Sequence, residues 1–474
     1  VRKIWTAAAL IFIALLPIGV QTALIARAGF VMGDFRAFYC AARVTARGAD
    51  PYRTEPLRSC EISAGPRLFY QKNPNVAVPA PLPGYALAAL MPLSLLPFAA
   101  AALVWVGLLL LAWAVCVATL VRFAVITWQS ALAVFALSLG ASSIPFGEVV
   151  PLALAAICLA AYFAWQGMWR SAAIAAAVAM IEPHLALPVC VALAVWAPAT
   201  RVTLGISFAA LASLSLFALG PATNLEYFAS VLPAHALSEA ARDTQYSLTS
   251  VLASAGVVDT TAVRAGSLWY LGMLVAGAVV AGSLAKKHRN PAFLVCVPPA
   301  FAVFGGTFVH VTQIVAALPA TVLFLAYATA ERRTLAIVAL LLLAVPWTMA
   351  TSPAVGLAPA FPIAFLAWRY TNGSVRAAML AAVIAGILLV GLDHAYVLVA
   401  AQHLQPYVGS SIDPRLAEAT WSEFARKNST NSIAAWIARI PTWTGLIVLL
   451  TVLSSEVLRV TRLEPMRYMT SEAP

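Results

Sequence analysis

Charge is what this chain has least of. Asp, Glu, Lys and Arg make up only 10% of its 474 residues, where soluble domains carry about 25%. No long hydrophilic domain is present, so nucleic acid is not an expected partner. No repeat of fixed period is visible, which gives no support to a carrier built from duplicated halves. No Cys/His spacing of the metal-binding kind occurs, and no metal or other cofactor is expected. Cysteine is scarce, with six in all. Cys116, Cys158, Cys190 and Cys296 lie in apolar runs as small core or lipid-facing residues. Cys40 and Cys60 share the first hydrophilic loop, and a disulfide is open to them if that loop is extracytoplasmic. Acidic residues are fewer than basic ones, 18 against 29, for a net charge of +11. That excess suits anionic lipid headgroups or phosphorylated substrates.

What is present is apolar sequence, 62% of the chain. Runs near the length of a membrane span recur to the end, at 4–26, 98–121, 124–141, 147–166, 202–219, 265–284, 291–309, 312–329, 335–351, 377–400 and 441–458. A weaker run is 354–368. The expected fold is all-α: one polytopic bundle over residues 1–474, with hydrophilic loops at 27–97, 220–264 and 401–440. Run 4–26 follows Arg2 and Lys3 and is longer than a signal-peptide core, so it reads as a retained span.

Two segments break the pattern. "VAVPAPLPGYALAALMPLSLLP" (76–97) holds five prolines, which breaks helices and leaves room for a short helix near 84–91. The stretch 171–197 is interrupted by Glu182-Pro183-His184. A charge at a helix centre costs roughly 2.5–3.5 kcal/mol on insertion scales, so two half-spans meeting at that tripeptide are expected. Lys and Arg near span ends favour the cytoplasm. This broken reading keeps Arg122, Arg170, Arg201, Lys286, Lys287, Arg289, Arg332 and Arg333 inside. It gives about 12 spans plus one half-span pair, both termini cytoplasmic, in the plasma (inner) membrane. Asp34, Glu148, Glu182, His184, Asp243, Gln245 and His310 then converge on the outer face.

"GDFRAFYCAARVTARGADPY" (33–52) follows the first span. Asp34 suits a helix N-cap and Gly48 a stop. Phe35, Phe38 and Tyr39 follow helical spacing, with Arg36, Arg43 and Arg47 on the neighbouring face. The plain reading is an amphipathic helix in the headgroup plane. The sharper one is a carboxylate beside cations able to hold a lipid phosphate.

An aspartate after the first span, then an aromatic helix ending in "GADPY", resembles the GT-C class of lipid-linked-sugar glycosyltransferases. More closely, the chain resembles the bacterial polyprenyl-phosphate-mannose-dependent α-mannosyltransferase family. Segments 81–105, 146–163, 172–188, 244–252 and 310–320 resemble that family's motifs in order. Glu148 stands where Gln is usual, Val150 where Asn is usual, and Glu182 where Lys is usual. The resemblance implies a GT-C-type bundle that moves a hexose, mannose in the family, from polyprenyl phosphate to a lipid or glycan acceptor at the outer face, with inversion. Such chemistry needs a base for the acceptor hydroxyl and cations for the departing phosphate. Asp34 is the base expected. Arg36, Arg43, Lys72, His184 and His310 are the phosphate partners, with Glu148, Glu182 and Gln245 as further site residues.

Each has a structural alternative: headgroup contact for Arg36 and Arg43, plain solvation for Lys72, a His–Glu pair for His184 and Glu182, an interface residue for His310. A helix cap serves for Glu148, and a structural loop for Gln245 and Ser247. The rival functions are a transporter or flippase of lipid-linked saccharides, supported by Asp393-His394 within span 377–400, and a non-catalytic relative.

Overall fold

A computed structural model describes residues 18–19, 21–23, 25–27, 29–65, 67–124, 126–135, 138, 143–240, 242, 244–344, 363–364, 367–368, 373–400, 412–428, 436 and 439–463, with backbone alone at 388–390, 392–400 and 459–463. Most of run 4–26, the weaker run 354–368, Asp243 and the Asp393-His394 side chains lie outside the described residues. The described chain is helical, with two isolated β-bridges and no strand.

The helices run in chain order as α1 (Gly33–Ala46), α2 (Thr54–Ala64), α3 (Leu68–Lys72), α4 (Gly84–Ser94), α5 (Phe98–Phe123), α6 (Trp128–Phe135), α7 (Val150–Trp165), α8 (Trp169–Val178), α9 (Pro183–Trp196) and α10 (Arg201–Glu226). There follow α11 (Leu232–Glu239), α12 (Leu248–Ser254), α13 (Asp259–His288), α14 (Phe293–Ala302), α15 (Leu318–Leu325), α16 (Ala330–Ala344), α17 (Val375–Ala400), α18 (Ala417–Asn428) and α19 (Ile440–Leu463). Among the described residues, four helical stretches are long and apolar enough to cross a membrane: 98–123, 198–239, 259–288 and 440–458. Several shorter apolar helices pack among them, as in a membrane helical bundle.

The proline-rich segment carries the short helix α4. Residues 169–196 form two short helices that break at Glu182, where φ is −118° and ψ 82°. Pro183 takes the first-turn position of α9, where its missing N–H costs nothing. The pair folds back on itself, since Cys190 Sγ donates to the Ala176 carbonyl at 3.6 Å.

Three expectations change. Helix α1 does not lie on a surface: Phe35, Arg36, Phe38, Tyr39 and Cys40 are all buried, because α2, α4 and α5 pack over it. Its N-cap is Met32, and Asp34 makes no capping hydrogen bond. The side chain is thereby free to face elsewhere. The stretch 220–264 is largely helical. Gly220 (φ 70°) and Pro221 kink α10, and Asn224 Nδ2 restores the lost bonding by donating to the Ser215 and Gly220 carbonyls at 2.9 and 2.6 Å. Residues 412–428 of the last loop form α18 and dock on the first loop. Thr54 N–H donates to the Arg415 carbonyl, Ala417 N–H to the Tyr52 carbonyl, and Ala77 N–H to Thr420 Oγ1. A Cys40–Cys60 disulfide ties α1 to α2.

Candidate active site

Asp34 is positioned by backbone. Met32 N–H donates to the Pro145 carbonyl at 2.9 Å, and Asp34 N–H to the Phe146 carbonyl at 3.1 Å. The start of α1 is thus stitched to the turn that precedes α7. Gly147 completes that turn with φ 78°, and a Cβ there would sit 2.7 Å from Phe35 Cβ. Only glycine accepts both the left-handed backbone and the close helix. Trp105 Nε1 locks the turn by donating to the Gly147 carbonyl at 2.8 Å. The result places Glu148 against Asp34 closely enough for the carboxyls to share a hydrogen bond. Glu148 is not a helix cap, since Val149 holds that position.

Both carboxyls line a cavity of about 740 Å³, within the usual range for small-molecule sites. Burial pushes Asp34 up to about 7, against the pull of the Arg242 guanidinium. Burial, then the charge of Asp34, holds Glu148 well above the ordinary carboxylate range. Two facing carboxyls of this kind keep one proton between them near neutral pH.

The opposite polar wall is built by the Glu182 break and the two-residue pairing of Gln245 with His310. His184 Nδ1 lies 3.3 Å from Glu182 Oε2, and Gln313 Nε2 donates to the same oxygen at 3.5 Å. Gln313 Oε1 accepts the His310 N–H at 2.8 Å. His310 itself is held below its ordinary imidazole value by burial. Beside it Glu239 is buried and accepts Trp421 Nε1 at 2.7 Å and Gln245 Nε2 at 3.1 Å. Arg242 lines the cavity with its guanidinium over the Trp421 ring, 4.8 Å from the centroid. The third wall is apolar. Leu211, Ala212 and Leu216 of α10 face prolines 79, 81 and 83. Leu216 and Phe228 line the cavity and are also exposed, so the cavity opens sideways on the apolar flank of α10.

Of the residues singled out in the sequence, Asp34, Glu148, Glu182, His184 and His310 line this cavity. Gln245 sits one layer behind, holding Glu239 and, through Oε1, the Val309 N–H at 2.9 Å. Three cations are elsewhere. Arg36 is buried on the far side of α1, 5.5 Å from the Tyr70 ring centroid and near Glu61. Arg43 donates to Tyr39 Oη at 3.3 Å. Lys72 is exposed at the end of α3. The sequence reading missed His235, Glu239, Arg242, Gln313 and Trp421. One signal was available: His235 and Glu239, four apart in "HALSE", share a helix face.

No curated protein and no solved structure matches the chain. The sequence model of glycosyltransferase family 87 matches residues 83–304, a little under half of the chain. The matched span includes Pro83, Glu148, the Glu182 break and α10 to α14, and it indicates a glycosyltransferase.

Proposed function

We propose that the protein transfers a hexose, mannose by resemblance, from a polyprenyl phosphate to a lipid or glycan hydroxyl, with inversion, and that Asp34 is the general base. The observation that carries the reading is the division of one cavity into a carboxyl pair, a cationic and imidazole wall, and an apolar mouth on α10. A polyprenyl chain stays in the bilayer against Leu216 and Phe228 while its headgroup reaches the polar interior. The acceptor oxygen attacks the anomeric carbon as the carbon–oxygen bond to phosphate breaks. The acceptor proton passes to Asp34, and the bonding electrons leave with the phosphate. Glu148 holds the remaining proton of the pair, so that Asp34 carries the negative charge. Arg242, His184 and His310 face the phosphate, whose own acidity makes a strong general acid unnecessary.

The site faces the extracytoplasmic side in this reading. Two features support that side: the Cys40–Cys60 disulfide beside the site, and the gathering of Lys287 and Arg332 at the opposite end of the bundle. Purified protein in proteoliposomes, given labelled polyprenyl-phosphate hexoses and a cell-envelope acceptor extract, tests it. A glycosylated product with the opposite anomeric configuration is expected. Absence of transfer from every polyprenyl-phosphate hexose would remove the reading.

A further inference from the structure

Four carboxyl groups line the cavity among its described residues, Asp34, Glu148, Glu182 and Glu239, against the single guanidinium of Arg242. A phosphate entering this space needs more positive charge than Arg242 provides. Three side chains on one wall are arranged to hold it. His235 and Glu239 lie one turn apart on α11, and His310 reaches them from the turn before Val311. Their ligand atoms all fall within 4.8 Å of one another. His310 Nε2 and Glu239 Oε2 are 3.8 Å apart, too far for a hydrogen bond. Two ligands of one tetrahedral zinc ion sit about 3.4 Å apart, given bonds near 2.0–2.1 Å. His235 is 6% exposed, lines the cavity, and its Nδ1 has no hydrogen-bond partner. Leaving a buried ring nitrogen unpaired costs free energy, which a ligated ion would recover.

The surroundings suit a metal ligand set. Trp421 Nε1 fixes one oxygen of Glu239 at 2.7 Å, the outer hydrogen bonding that orients such carboxylates. The Gln245 amide nitrogen now lies between Glu239 and His310, 3.1 Å from Glu239 Oε2 and from His310 Nδ1. It is an electropositive group at the point where their lone pairs meet, and an ion from the cavity would move it aside.

We propose that His235, Glu239 and His310 form a site for one divalent transition-metal ion of the zinc type, with an open coordination position toward the cavity. Two imidazoles and a carboxylate with a vacant fourth position are a catalytic rather than a structural zinc set. The open position suits a phosphate oxygen; that role, unlike the metal binding, rests on the transfer reading above.

The test uses full-length protein in detergent, treated with chelator and titrated with Zn²⁺ by calorimetry and with Co²⁺ by visible absorption. One equivalent should bind, and Co²⁺ should give the intense bands of a four- or five-coordinate site. His235→Ala and His310→Ala should each weaken binding at least tenfold. His288→Ala, at the other end of the bundle, should leave it unchanged. Wild-type protein that binds neither ion, or site variants that bind as tightly as wild type, would overturn the proposal. Metal binding is read without turnover. An ion held by a protein that transfers no hexose would therefore leave this site standing and remove the transfer reading.

Discussion

The two ends of the bundle treat buried charge in opposite ways. At one end Glu456 of α19 meets Lys287 of α13 and Arg332 of α16. Lys287 also donates to the Glu456 carbonyl at 2.9 Å, and Arg332 to the Ser455 carbonyl at 3.4 Å. Both cations there share the one carboxylate, and no described residue of the cluster lines the cavity. Toward the other end, where Tyr270 of α13 donates to the His184 carbonyl about 25 Å along the helix from Lys287 at 1.5 Å per residue, Asp34 and Glu148 face one another as two acids. His235 there keeps an unpaired ring nitrogen. A matched cluster holds helices together. An unmatched one is held in place by the rest of the fold, at a cost in stability, and such clusters mark functional sites.

The sharpest way to break this contrast is to neutralise one acid at each end. Asp34→Asn should lower transfer by about 10²–10⁴-fold, the usual worth of a general base. Its melting temperature should stay level or rise, because a buried acid has been removed. Turnover assays beside thermal unfolding in detergent would show both. Glu456→Gln should do the reverse. It strands two cations in a partly buried setting and should cost about 3 kcal/mol or more, seen as a lower melting temperature. The rate per folded molecule should stay unchanged.

Replacing both Cys40 and Cys60 by Ser tests whether the site end needs external bracing. The crosslink closes a loop of 20 residues in sequence separation, worth about 3 kcal/mol by chain entropy. A loss near that size in chemical or thermal unfolding is expected, with a rise in KM if α1 loosens over the cavity. The smallest effect is with pH. The Asp34 carboxyl is raised from 3.8 to about 7 in the fold. As a base it works only when ionised, so activity should fall about tenfold per unit below pH 7. Stability runs the other way. The folded state binds the proton more tightly, so this group's contribution is full at low pH and is lost as pH rises toward 7. Both trends should vanish in Asp34→Asn.

The sequence carried the helical class, the short helix after the prolines and the break at Glu182, because proline and an intramembrane charge act locally. It also carried five residues of the cavity wall, since each is a polar group next to an apolar run. It did not carry the direction in which helix side chains point. Arg36, two residues after Asp34, points about 200° round the helix and ends up behind α1. The polar residues of "HALSEAAR" were taken for loop, yet Gly220 and Pro221 only kink the helix and His235 and Glu239 stay helical. Trp421 depends on the docking of residues 412–428 against the first loop. That contact is more than 300 residues distant in sequence and has no local signature.

The central claim is that the unmatched end is where a lipid phosphate reacts. A polyprenyl phosphate carrying a photoreactive group beside the phosphate tests it most directly, with adducts mapped by mass spectrometry after illumination in proteoliposomes. The account expects adducts at Tyr85, Met180 and Tyr227, which line the cavity, reduced by competing polyprenyl-phosphate hexose. Adducts around Lys287, Arg332 and Glu456 instead would contradict it.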